Sequence, residues 1–95
     1  MKYELIIRDE AELDIIEATK YYEKQQTGLG TKFLEQLEQY LEKIQIYPEL
    51  FQIKRPPYRE AFIKKFPYLI IYEFIENKVV VYAVFNTRQN PDKKP

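Results

Sequence analysis

The spacing of apolar residues changes once along this chain, at Pro48, and that change limits what it can fold into. Before it, apolar side chains recur at helical intervals; after it, they come in extended runs. Ala11, Ile15, Ala18 and Tyr22 fall at i, i+4, i+7 and i+11, one face of a 3.6-residue period. Asp9 stands three residues before Glu12, which predicts a capping box opening this helix, with further acids in its first turn. A second helix is expected from about Gly30 to Ile46, where Phe33, Leu37, Tyr40, Leu41 and Ile44 make the apolar stripe. Pro48 ends it, having no N–H to donate and disfavouring helix in the residue before it. Between the helices, Thr27-Gly28-Leu29-Gly30 holds the only two glycines, as expected just past a helix C-terminus. So short a gap implies an antiparallel hairpin.

Extended structure flanks this pair. Tyr3–Arg8 reads as a strand, and so does Tyr58–Lys65, which Phe66-Pro67 separates from the next strand. Tyr68–Ile75 and Lys78–Phe85 are two strands joined at Glu76-Asn77, a two-residue link suited to a tight turn. Both are apolar on both of their faces, which places them centrally with material on each side. The helical hairpin covers only one side, so the tail or another chain is expected on the other. The predicted architecture is a single α+β domain over 1–95. It orders an N-terminal strand, two helices and three strands (β-α-α-β-β-β) in a mainly antiparallel, four-stranded sheet, with a short tail over about 89–95.

Composition removes several kinds of chemistry. With no cysteine and no histidine, there are no disulfides, no thiolate or imidazole metal sites, and no histidine-assisted nucleophiles. Neither a cofactor nor a metal is expected. No signal-peptide pattern opens the chain, and its longest apolar run is too short for a membrane span, so a cytoplasmic protein is expected. Formal charge sums to zero, but residues 1–50 hold eleven acids against six bases, while residues 51–95 hold nine bases against four acids. Such a split suits a basic surface facing nucleic acid or an acidic protein; chance placement of solvated charge explains it equally well.

The basic residues concentrate at Lys54, Arg55, Arg59, Lys64 and Lys65, with Glu60 among them. On a strand, Arg59, Ala61, Ile63 and Lys65 share a face, and Arg59 projects a planar fork suited to phosphate. Edge-strand protection is the alternative, and it is preferred for Lys64 and Lys65. Arg88 follows the last strand directly, in a loop that a rigid sheet would position; a surface ion pair is its plain alternative. Tyr21 lies off the apolar stripe of its helix and is a candidate partner contact. Asp14 and Glu17 on the same helix would attract basic partner segments or simply face water.

Several strings, in this order and spacing, resemble the RelE/ParE superfamily of bacterial toxins. They are Tyr21-Tyr22-Glu23, Gly28-Leu29-Gly30 followed by Phe33-Leu34, Tyr47-Pro48-Glu49-Leu50-Phe51, Tyr58-Arg59-Glu60-Ala61, Phe66-Pro67-Tyr68, and Asn86-Thr87-Arg88 leading to Pro91. The resemblance runs from about Ile7 to the end and is nearest to the ParE-like, plasmid-stabilisation side. It implies a toxin silenced by a cognate antitoxin and acting on DNA gyrase. Its alternatives are a RelE-like, metal-independent endoribonuclease cutting mRNA on the ribosome, or a non-toxic member that keeps only antitoxin binding. Arg59 matches a basic position of RelE-like toxins and Arg88 a target-site arginine, with Lys64 or Lys65 as weaker substitutes. Against cleavage, Ala61 and Leu69 stand where the cutters carry basic residues, Asn86 where many relatives have histidine, and the tail has no tyrosine.

Overall fold

The computed structural model describes residues 2–95. The chain forms β1 (Glu4–Ile7), α1 (Asp9–Gln25), α2 (Leu29–Ile46), β2 (Ile53–Arg55), β3 (Tyr58–Phe62), β4 (Tyr68–Ile75) and β5 (Lys78–Asn86), then a short 3-10 turn at Pro91–Lys93. The strands make one sheet of five, ordered β1-β5-β4-β3-β2. Only β1–β5 pair in parallel; the other three pairs are antiparallel. The α+β class and the mainly antiparallel sheet are therefore as expected. The fifth strand, β2, is new: its three residues are all exposed, so no apolar alternation marked it in the sequence.

Local chemistry accounts for the boundaries. The β4–β5 link is a tight turn with Glu76 at φ 52° and Asn77 at φ 60°, the two left-handed positions that a type I′ turn requires. β3 stops at Phe62, short of the expected Lys65, because the chain turns there and Lys65 itself takes φ 79°. The Asp9–Glu12 capping box does not form. Arg8 is the N-cap and no side chain caps α1, so Asp9 and Glu12 act only as acids in the first turn.

The two glycines have separate reasons. Gly28 precedes α2 with φ 88°, where a side chain would be strained. Gly30 lies within α2 and packs against α1: a Cβ there would come within 2.8 Å of the Thr19 carbonyl oxygen and 3.0 Å of Glu23 Oε1. Glu23 in turn accepts from the N–H groups of Gly28 (3.0 Å) and Gly30 (3.1 Å). The carboxylate of α1 thus serves as the cap that α2 lacks in its own sequence.

Phe33, Leu37 and Ile44 of α2 and Ala11 and Ala18 of α1 are buried against Ile70, Tyr72, Val79 and Val81 of the sheet. Two cross-strand partners, Arg59 and Tyr72, face this layer and hold the connection from α2 to the sheet. The Tyr72 hydroxyl donates to the Pro48 carbonyl at 2.7 Å, and Arg59 Nη1 donates to the Phe51 carbonyl at 2.7 Å. Burial pushes the Tyr72 phenol up to about 12, against a smaller opposing effect of Arg59.

On the opposite sheet face, Ile71, Ala83 and Phe85 form a second buried cluster. The tail lies alongside: Lys94 pairs with Glu60 at 3.3 Å and sits 5.8 Å from the Phe85 ring centroid, and Arg55 donates to the Pro95 carbonyl at 2.9 Å. Of the two expected covers for this face, it is the tail that appears here.

Candidate functional site

The loop after β5 is shaped by short contacts that fix its backbone. Asn86 Oδ1 accepts from the Arg88 N–H at 2.9 Å, and the Asn86 carbonyl accepts from Gln89 N–H at 3.0 Å. Thr87 donates to the Pro67 carbonyl through both its N–H (2.8 Å) and its hydroxyl (3.1 Å), tying this loop to the β3–β4 turn. The Arg88 side chain emerges exposed from this braced corner. Among the described residues it has no ion pair and no hydrogen-bond partner.

Arg88 borders two depressions. The larger, about 960 Å³, runs between the end of α1, the outer side of α2 and the β3–β4 turn, and its walls include Tyr21, Tyr22, Lys32, Lys65 and Pro67. The smaller, about 250 Å³, lies between α1 and the end of β5 and is lined by Asp14, Glu17, Tyr68 and Asn86. Beneath the rim, Tyr22, Phe33, Phe66 and Tyr68 form a tight aromatic cluster, with Tyr22–Phe66 centroids at 4.9 Å and Phe33–Phe66 at 5.3 Å. This cluster gives the loops a firm base.

Burial shifts three titratable groups at this corner of the molecule. Desolvation raises the phenol pKa of Tyr22, the neighbouring Tyr68 adds to the rise, and Arg88 works against it. Tyr68 is likewise raised by desolvation, with the Asn86 hydrogen bond opposing. Both phenols therefore stay protonated at neutral pH and cannot act as bases there. Asp14 is raised by desolvation and by Glu17 and Glu10, while its hydrogen bond from Val84 N–H (3.0 Å) pulls the other way. That bond lies just past the end of the β1–β5 ladder, where Arg8 N–H meets the Val81 carbonyl.

Three of the candidates from the sequence meet here: Arg88, Lys65 and Tyr21 border one groove, with Tyr21 55% exposed. Lys64 sits beside it, its N–H donating to the Tyr40 hydroxyl at 3.2 Å. Arg59 does not join them. It belongs to the helix-facing layer, half-buried, with Nη1 donating to the Phe51 carbonyl, and it lines neither depression at Arg88. Sequence reasoning passed over Lys32 on the groove wall and the use of Asp14 and Glu23 as backbone acceptors. Nothing in the local pattern sets Lys32 apart from other helix-surface cations, and nothing in the spacing of the two acids predicts an amide partner. No group of histidine, cysteine or acidic side chains suited to a metal occurs among the described residues. No helix of the chain is long and apolar enough to cross a membrane.

Residues 5–91 match the family model described as ParE toxin of type II toxin-antitoxin system, parDE. Among solved structures, the chain is similar to a chain of the chromosomal ParDE toxin–antitoxin system from P. aeruginosa. The TM-score is 0.80 at 10% identity, covering 92% of this chain and 98% of that one. No curated protein matches the sequence significantly.

Proposed function

This chain belongs to the ParE toxin family of type II toxin–antitoxin systems, and from that premise we propose that it arrests growth in the cytoplasm by binding DNA gyrase, without covalent chemistry of its own. The observation that carries this reading is the groove at Arg88. An unengaged guanidinium stands on a braced loop beside Lys65 and Tyr21, over phenols that remain protonated. Such a surface offers charge, hydrogen-bond donors and aromatic contact to a protein target. The cognate antitoxin restores growth by binding the toxin. Cleavage of mRNA on the ribosome is the poorer fit, because Arg59 is already engaged at Phe51.

Inducible expression in bacteria tests the proposal. Filamentation and a DNA-damage response are expected, together with stabilised gyrase–DNA cleavage complexes when the purified protein is added to gyrase. Immediate translation arrest with cut mRNA would replace gyrase by the ribosome. Normal growth would identify a member that has lost its toxicity.

A further inference from the structure

The outward side of α1 is left without a function by the groove at Arg88. Its core residues, Ala11 and Ala18, lie in the hydrophobic layer. At 100° per residue, Leu13 and Ile16 fall on the far side of the helix from these. They are 58% and 48% exposed. Around them the sequence from Asp9 to Glu17 places five carboxylates (Asp9, Glu10, Glu12, Asp14 and Glu17) and no base. None of the five takes part in an ion pair among the described residues. Asp9, Glu10 and Glu12 suit the positive end of the helix dipole. Glu17 lies beyond its reach. Glu10, Asp14 and Glu17 repel one another along one flank, where the two glutamates help to raise the Asp14 pKa.

We propose that this crest of α1 docks a basic, amphipathic helical segment of a protein partner, with apolar side chains on Leu13 and Ile16 and lysines or arginines along the Glu10–Asp14–Glu17 flank. Charge complementarity selects that occupant: three carboxylates along one flank of two exposed aliphatic residues, against the single exposed Lys20 at the C-terminal end of the crest, favour a cationic ligand over an acidic or nucleic-acid one. A helix laid on a helix reads such anchors at i and i+3. A second copy of this chain fits poorly, since the same crest would bring like charges together. The proposal takes from the toxin–antitoxin reading only that a protein partner exists; there, the segment belongs to the antitoxin. The Asp14–Glu17 end of this flank reaches the smaller depression that Arg88 borders, whereas Leu13 and Ile16 line neither depression.

The test uses the full chain, isotopically labelled, and two synthetic amphipathic peptides with the same leucine pattern, one carrying lysines and the other glutamates. The lysine peptide is expected to shift amide resonances across residues 9–20, and the glutamate peptide to leave them unmoved. Leu13→Ser/Ile16→Ser is expected to weaken lysine-peptide binding at least tenfold, and so is Glu10→Gln/Glu17→Gln. All four positions are exposed, so both variants keep the native amide spectrum elsewhere. Shifts centred away from α1, equal binding of both peptides, or undiminished binding by the Leu13/Ile16 variant would overturn the proposal. So would concentration-dependent dimerisation that the same variant abolishes. Peptide binding is read without reference to growth, so loss of the toxin reading would leave this result standing.

Discussion

Arg59 and Arg88 carry the same fork of N–H donors, and the chain places one in a strand and the other just past one. They end in opposite conditions. Arg59 is partly buried and donates at 2.7 Å to a carbonyl of the connection that leads from α2 into the sheet. Arg88 is exposed and only its backbone is held, by Asn86. The difference lies in what surrounds each residue: Arg59 has Tyr72 as its cross-strand partner and the Pro48–Phe51 loop beneath it, whereas Arg88 opens onto a groove. A half-buried arginine that binds a backbone carbonyl of its own chain supports the fold. One held by its backbone alone, with a free side chain, is available to a partner.

The strongest test of the first half of this contrast is alkaline titration. In the folded protein the Tyr72 phenol is pushed up to about 12, above its ordinary value of 10.0. An acid that holds its proton more tightly when folded stabilises the fold below its unfolded pKa, and that stability is lost as pH rises toward the folded value. Between pH 10 and 12 the native state should therefore lose on the order of 2–3 kcal/mol through this group alone. Denaturant melts across that range should show a steeper loss in the parent protein than in Tyr72→Phe, where the raised phenols of Tyr22 and Tyr68 still contribute. A parent profile no steeper than the variant's would mean that the Tyr72 phenol is not held buried in this layer.

Next in size is Arg59→Ala, which removes a charge-assisted bond and leaves the Phe51 carbonyl without its donor. A loss of about 2 kcal/mol is expected by chemical denaturation. Arg59→Lys should recover only part of it, because an ammonium lacks the planar reach of the guanidinium. Killing by Arg59→Ala should fall only in proportion to the loss of folded protein. If the variant keeps its stability yet stops killing, the two arginines belong together after all.

A smaller effect is expected at Glu23. Its carboxylate replaces the missing N-cap of α2, so Glu23→Ala should cost about 1 kcal/mol, with Glu23→Gln intermediate because one amide oxygen still accepts. Hydrogen exchange at the Gly28 and Gly30 amides reads this directly. Unchanged protection in Glu23→Ala would show that the cap is not needed.

The sequence disclosed the elements whose burial is periodic. Both helices and the β4–β5 hairpin were legible because Phe33, Leu37, Ile44, Ile70, Tyr72, Val79 and Val81 must all face one layer. β2 was not, since all three of its residues are exposed and carry no alternation. The face-sharing rule correctly put Arg59 and Ala61 together. It could not say that this face is the inner one, or that Lys65 had already left the strand at φ 79°. The candidate site shows the same limit. Arg88 was visible as the residue after a strand, but the groove that joins it to Lys65 and Tyr21 depends on how the Thr87–Pro67 contacts fold one loop onto another. Nothing in local spacing encodes such a contact.

Arg88→Ala tests the other half of the contrast, and its effect on stability is expected to be the smallest of all. The side chain is exposed and has no partner among the described residues, while the loop is held by Asn86 and Thr87, which the substitution leaves alone. Unfolding free energy should therefore change by no more than about 0.5 kcal/mol. Killing, by contrast, should be relieved, and binding to the antitoxin largely kept, because the apolar anchors proposed on α1, Leu13 and Ile16, line neither depression that Arg88 borders. Lysine at the same position retains the charge without the planar fork and separates two roles. If Arg88→Lys kills as well as the parent, the groove uses charge alone; if it is as harmless as alanine, the bidentate geometry is what the target recognises. Undiminished killing by Arg88→Ala, in a protein of native stability, would remove this arginine from the site and leave Lys65 and Tyr21 as the groove residues to test.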